Sequence, residues 1–153
     1  IDGPAIVAGY SYRLHVEADA ALFPEGAVFV AEVRAKVSAT SVVATLTDGL
    51  AIAPNDVMLL RWRGHRYISV REFAKARADL SRGFAIDSTN YGILFHFGVL
   101  RFIEQDFVGA AEMFARAQPL APDGGERAGS TDWLWMSLSR AGRNTEAAAM
   151  LVP

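Results

Sequence analysis

Apolar and small residues recur at helical spacing across residues 91–122. Leu94, Phe97, Gly98 and Arg101 fall on one stripe, and Ala110, Phe114 and Ala117 follow at intervals of four and three. That period predicts two amphipathic helices. Gly98 and Ala110 are small enough to let antiparallel backbones come close, with Phe97 and Phe114 filling the space on either side. Ala117 leaves room for the first helix of a following unit. Pro122 has no N–H and drives the residue before it out of the helical region, which ends the second helix. The same slots occur thirty-four residues earlier, at Leu60, Gly64 and Tyr67 and then Ala76, Leu80 and Gly83, as far as Asp87-Ser88. Asp56 stands just ahead as a helix N-cap. One such hairpin cannot bury its apolar face alone, so the pattern predicts stacked neighbours.

The flanks are less regular. Residues 123–130 are polar and Gly-rich and read as a connection, with Asp123-Gly124-Gly125 as a turn. Trp133, Leu134, Trp135 and Leu138 resume the helical pattern, Gly142 marks a turn, and Ala147 and Leu151 repeat the second-helix spacing. Counting back from Ala147 starts this unit at Ala128, three residues later than a strict repeat. Its short second helix, ending at Pro153, must serve as the cap. On the N-terminal side, residues 1–12 read as an extended lead-in and residues 12–23 as a short helix broken by Pro24-Glu25-Gly26. Residues 28–40 fit two patterns. Phe29, Ala31, Val33, Ala35 and Val37 alternate with polar residues as in a strand, while Phe29, Val30, Val33 and Val37 also share a helix face, against the low helix propensity of β-branched residues. Leu46, Gly49, Leu50 and Pro54 read as the second half of a repeat that needs a helix before it. A helix is therefore the expectation for 28–40, with a β-hairpin as the alternative.

With these slots in place, the chain resembles a tetratricopeptide repeat (TPR) protein, whose unit is a 34-residue helix–turn–helix. The run Arg61-Trp62-Arg63-Gly64-His65-Arg66-Tyr67-Ile68 is similar to one found in a group of bacterial TPR proteins with no assigned activity to carry over. The resemblance implies an all-α fold of antiparallel helix hairpins stacked as a short right-handed superhelical solenoid. It divides one domain, 1–153, into a lead-in with capping helices (1–40), a partial repeat (41–56), repeats at 57–90 and 91–124, and a divergent C-terminal repeat and cap (128–153).

In TPR arrays the first helix of each hairpin lines a concave groove that holds an extended peptide or a helix. The resemblance places Arg61, Trp62, His65 and Ile68 on that face in the first full repeat, and Phe95, His96, Val99, Phe102 and Ile103 in the second. Asp132, Trp133, Met136, Ser139 and Arg140 follow in the third. Arg61, Trp62, His65, Phe95, His96, Val99, Phe102, Met136 and Arg140 are thus the candidate ligand-binding residues. The lining is aromatic and aliphatic with a basic end. Arg61 and His65, four apart, share a helix face, and a guanidinium suits carboxylate recognition. The expected occupant is an apolar segment of a protein or peptide with an acidic group near Arg61. The competing reading makes the arginines surface residues paired with Glu72, Asp79 or Asp56, and packs Phe95 and Phe102 on a neighbouring helix. The Lys/Asn carboxylate clamp of chaperone-binding TPR domains is not reproduced, since Arg61, His65 and His96 stand at those places. Arg63 occupies a usually aliphatic slot, where it either snorkels along the helix or pairs with an acid such as Asp79.

Composition narrows the chemistry. At 153 residues, 52% apolar and 21% charged, the chain is long enough for a core and is not of disordered type. A net charge of −2 gives no global attraction for nucleic acid or an anionic membrane, so no nucleic-acid partner is expected. No apolar run approaches the roughly 18 residues of a membrane span. With no Cys, thiolate catalysis and Cys-based metal sites are excluded. No Gly-x-Ser-x-Gly elbow or phosphate-cradling Gly-Lys-Ser/Thr loop occurs. His65, His96 and an acid such as Asp132 are too dispersed for a strong metal signal. Neither catalytic residues nor a cofactor are expected. A protein–protein interaction module leads, ahead of an architectural or self-association scaffold whose groove face is buried in an oligomer or against another domain, and then an enzyme or metal-binding protein.

Overall fold

The computed structural model describes residues 11–15, 30–34 and 39–151. The chain divides into two compact units, Ile1–Ser41 and Val42–Pro153. In the first, β1 (Ser11–His15) and β2 (Val30–Arg34) form an antiparallel pair in the register Ser11↔Arg34 to His15↔Val30. This corrects two helix expectations, at 12–15 and at 30–34. The alternation and β-branched residues of 30–34 prevail once a partner strand satisfies their backbone hydrogen bonds. The rest of the expected lead-in and of the 12–23 and 28–40 segments lies outside the described residues.

α1 (Ala39–Ile52) is a single 14-residue helix. The second unit continues with α2 (Val57–Ser69), α3 (Phe73–Ile86), α4 (Tyr91–Ile103), α5 (Phe107–Ala117), α6 (Gly124–Arg140) and α7 (Asn144–Ala149), with a 3₁₀ turn at Gln118–Leu120. α2 packs on α3, α4 on α5 and α6 on α7, and α4 and α6 each also pack on the preceding hairpin. The starts of α2, α4 and α5 are fixed by side-chain caps. Asp56 accepts from Leu59 N at 2.9 Å, Asn90 from Ile93 N at 3.1 Å, and Asp106 from Gly109 N at 2.9 Å. α6 begins at Gly124, within the stretch expected to be a connection. Asp123 accepts from Glu126 N at 2.8 Å, and Glu126 places a negative charge on the first turn. Those two acids offset the poor helix propensity of three glycines.

The first helices of the hairpins end alike. Arg71, Gln105 and Gly142 adopt φ of 62°, 65° and 75°, and the N–H of the next residue returns to a carbonyl five residues back. The bonds are Glu72 to Tyr67, Asp106 to Arg101 and Arg143 to Leu138, each 2.9 Å. Arg71 and Gln105 are thirty-four residues apart, and Gly142 follows thirty-seven residues later.

The core joins Ala76, Leu80, Ile93, Leu94, Phe97, Leu100, Met113 and Ala117. Within α2–α3 and α4–α5 the small residue of the first helix receives a side chain of the second. A Cβ on Gly64 would stand 2.8 Å from Leu80 Cγ, and one on Gly98 would stand 2.8 Å from Phe114 Cζ. The close approach expected between Gly98 and Ala110 is thus filled by the Phe114 ring, while Ala110 is fully buried. Arg63 pairs with Asp79. Its Nε and Nη2 reach the two carboxylate oxygens at 2.7 Å each, and its Nη1 reaches Thr47 Oγ1 at 3.2 Å. A smaller cluster of Ala111, Leu138 and Ala147, with Leu134 and Met150, closes the C-terminal hairpin.

Candidate functional site

The faces of α2, α4 and α6 carry the candidate residues, and the structure gathers them in two groups. The first is a polar corner. Arg61 leaves α2 and lies flat over the backbone of Gly92 at the start of α4, where an added Cβ would be 2.2 Å from Arg61 Nε. Its guanidinium carbon sits 4.5 Å from the centroid of the Trp62 ring, within cation–π range. Arg61 Nε and His65 Nδ1 are buried and have no hydrogen-bond partner among the described residues. None of the acids proposed for Arg61 takes it: Asp79 holds Arg63, Asp56 caps α2, and Glu72 stands 3.4 Å from Lys75.

His65 and His96 meet across the α2–α4 interface with ring centroids 4.6 Å apart, and Trp62 lies 5.9 Å from one and 6.4 Å from the other. His96 Nδ1 is 2.6 Å from the carbonyl oxygen of Gly92, so the proton belongs on Nδ1 and Nε2 is left as an acceptor. Burial pushes His96 down to about 4, helped by the neighbouring His65 and Arg61. His65 is also lowered, by burial first and then by Arg66 and Arg61. Both rings are therefore neutral near pH 7. No group of three or more His, Cys, Asp or Glu able to hold a metal ion occurs among the described residues.

Phe95 joins this corner to the core. It meets His96 and Phe114 edge-on at 5.6 Å each, with Tyr91 at 5.8 Å, and it stays partly exposed. Val99, one turn on, is also partly exposed. The second group is apolar. Phe102 packs edge-on against Phe107 and Trp133 at 5.2 Å each, and Trp133 stacks on Phe114 at 5.6 Å. Phe102, Trp135, Met136, Ser139 and Arg140 line a shallow pocket of about 190 Å³, and the Arg140 guanidinium lies 4.6 Å from the centroid of the Phe107 ring. Arg140 thus stands apart from Arg61. Phe95 and Phe102 do pack on neighbouring helices, and each keeps an exposed part. Trp135, in the slot that Gly64 and Gly98 hold in the other hairpins, is 39% exposed beside the six-residue α7.

Sequence reasoning missed three elements. Gly92 is the platform for Arg61, and a glycine in the first turn of a helix was the available signal. Tyr91 donates to Glu126 Oε2 at 2.7 Å and lies 3.1 Å from Ser130 Oγ, tying α6 to α4; burial pushes its phenol up to about 12. Trp133 serves as a packing residue between hairpins. A further cavity of about 300 Å³, lined by Ala111, Ala115, Leu134, Leu138 and Met150, lies where α5, α6 and α7 meet.

The stacked hairpins, the left-handed turn residue at each first-helix end and the small residue under the second helix of the first two hairpins define a helix-hairpin solenoid of the TPR type. Among solved structures, the chain is similar to MamA AMB-1, at 25% identity over 71% of this chain and 62% of that one, with a TM-score of 0.58. A point mutant of MamA matches at 25% identity over 71% and 61%, with a TM-score of 0.57. The chain thus spans about three-fifths of the length of these structures. No protein-family model and no curated protein matches it. No described helix is long and apolar enough to cross a membrane.

Proposed function

We propose that this protein is a non-catalytic interaction module that seats a peptide or helix of a partner protein across the first helices of its hairpins. The partner's apolar side chains lie along Phe95, Val99, Phe102 and Met136, and an acidic group lies at Arg61. The observation that carries this reading is the Arg61 corner. Among the described residues, Arg63, Arg77, Arg101 and Arg143 have carboxylate partners; of the arginines that have none there, Arg61 is the one whose Nε is buried without a hydrogen bond. Likeness to MamA supports a scaffold type of fold, and partner recognition is the reading proposed from it here.

Panning a random decapeptide library tests the groove. Enriched peptides should lose binding to Val99→Arg, which puts a charge in mid-face, and acidic ones should weaken with Arg61→Ala. Unchanged affinity with an intact fold would remove the Arg61 contact.

A second reading follows from Ile103 and Trp135, which are 42% and 39% exposed near the Phe102 pocket. An architectural protein would cover that face with another copy or domain. Sedimentation equilibrium decides between the two, because an obligate dimer that blocks peptide binding favours the architectural role.

A further inference from the structure

The Arg61 corner contains two buried nitrogens without partners among the described residues, Arg61 Nε and His65 Nδ1, on one face of α2. The third such atom, Arg101 Nε, belongs to a guanidinium already paired with Asp106 through Nη1. Leaving buried polar atoms unpaired is costly, so a pair of them on one face marks a place where a polar ligand is favourable.

The local charges decide which ligand. His65 feels Arg66 and Arg61 from its own helix, and His96 of α4 feels His65 and Arg61; among the described residues no carboxylate acts on either ring. On α3, Asp79 is engaged by Arg63, and on α6, Glu126 is engaged by the Tyr91 hydroxyl, while Asp132 is exposed. α1 carries one acid, Asp48, which is exposed. The corner therefore holds positive charge against neutral rings, and burial first, then that charge, keeps His65 from taking a proton. A carboxylate placed there reverses the local field and favours the imidazolium. The two histidines are not equivalent. His96 already spends its Nδ1–H on Gly92 and is largely enclosed, whereas His65 is part-exposed and has an unpartnered Nδ1.

Resting on the groove reading above, we infer that the partner's carboxylate enters the corner of Arg61, His65 and His96 together with one proton, which is held on the His65 ring. No bond to carbon changes; a solvent proton moves to the imidazole, and the carboxylate stays ionised between imidazolium and guanidinium. Capture of an acidic peptide is then strengthened by mild acid.

The test uses an acidic decapeptide enriched on the full chain, and its Asp→Asn or Glu→Gln counterpart. Between about pH 7.5 and about pH 6 the acidic peptide should tighten about fivefold, within the limit of tenfold per pH unit for one coupled proton. The amide counterpart should not respond, and His65→Gln should flatten the profile. Titrating the His65 ring of wild-type protein by NMR, free and peptide-bound, gives the same answer without a variant: its pKa should rise on binding. A pH-independent affinity, or an unmoved His65 titration, overturns this inference and leaves the groove reading standing. Failure to enrich any peptide overturns the groove reading, and this inference with it.

Discussion

The hairpin α2–α3 and the hairpin α4–α5 share a backbone register, yet they fill it with opposite chemistry. Under the second, Phe97 and Met113 contribute hydrocarbon to the core, and the ring of Phe114 covers Gly98. Thirty-four residues earlier the same two slots hold Arg63 and Asp79, a partly buried bidentate ion pair, and Leu80 covers Gly64. The outward faces divide in the same way. Arg61, Trp62 and His65 stand where the next hairpin has Phe95, His96 and Val99. The repeat thus tolerates an ionic lining wherever each charge inside finds its partner. Among the described residues Arg63 has one and Arg61 does not, and that difference separates a structural arginine from a candidate recognition residue.

The sharpest break of the comparison is in the apolar hairpin. Phe114→Ala, which opens space over Gly98 and beside Trp133, should cost about 3–5 kcal/mol in urea unfolding. A loss of under about 1 kcal/mol would mean that the ring does not hold that hairpin together. In the ionic hairpin, Asp79→Ala strands Arg63 and should cost about 3 kcal/mol, at the low end for a buried pair because Arg63 is partly exposed. The double change Arg63→Phe with Asp79→Met writes the second hairpin's pair into the first. It should recover most of that loss, as apolar replacements of buried ion pairs often do. A double variant as weak as Asp79→Ala would show that the pair does more than fill its slot.

His96 links the two faces and sets a pH dependence of similar size. Its folded value of about 4 lies below the ordinary 6.5, so its full contribution is present above pH 6.5. As pH falls from there toward 4, the unfolded chain takes up the proton first, and about 3 kcal/mol is lost before the effect levels off. His96→Asn, which can keep a donor to Gly92, should flatten that ramp in urea midpoints measured against pH. The smallest effect belongs to the third hairpin. Asp123→Ala removes the cap of α6 and should cost about 1 kcal/mol, seen as fraying of residues 124–130 in amide exchange.

Much of the helical array was legible in the sequence because its signals are local. Gly64 and Gly98, Ala76 and Ala110, and the capping Asp56 recur at fixed spacing, and each acts through its own helix or its immediate partner. The repeating turn at Arg71 and Gln105 obeys the same local geometry. What failed depended on long-range partners. Residues 30–34 suited a helix face as well as a strand, and only pairing with 11–15 settled the choice. The 124–130 stretch looked like a loop because glycine count outweighed the cap at Asp123 and the tie from Tyr91 to Glu126 and Ser130.

The candidate site divides along the same line. Sequence spacing alone put Arg61 and His65 on one helix face and made Arg63 a misfit in an aliphatic slot. Only the tertiary structure could assign Asp79 to Arg63 and leave Arg61 without a carboxylate among the described residues, because α3 could have offered its acid to either. It also set His65 against His96, and it laid Arg61 over Gly92, a contact between residues thirty-one positions apart on two helices. Period is written in the order of residues along one helix. Partnership depends on which faces meet, and that is fixed only when the helices pack.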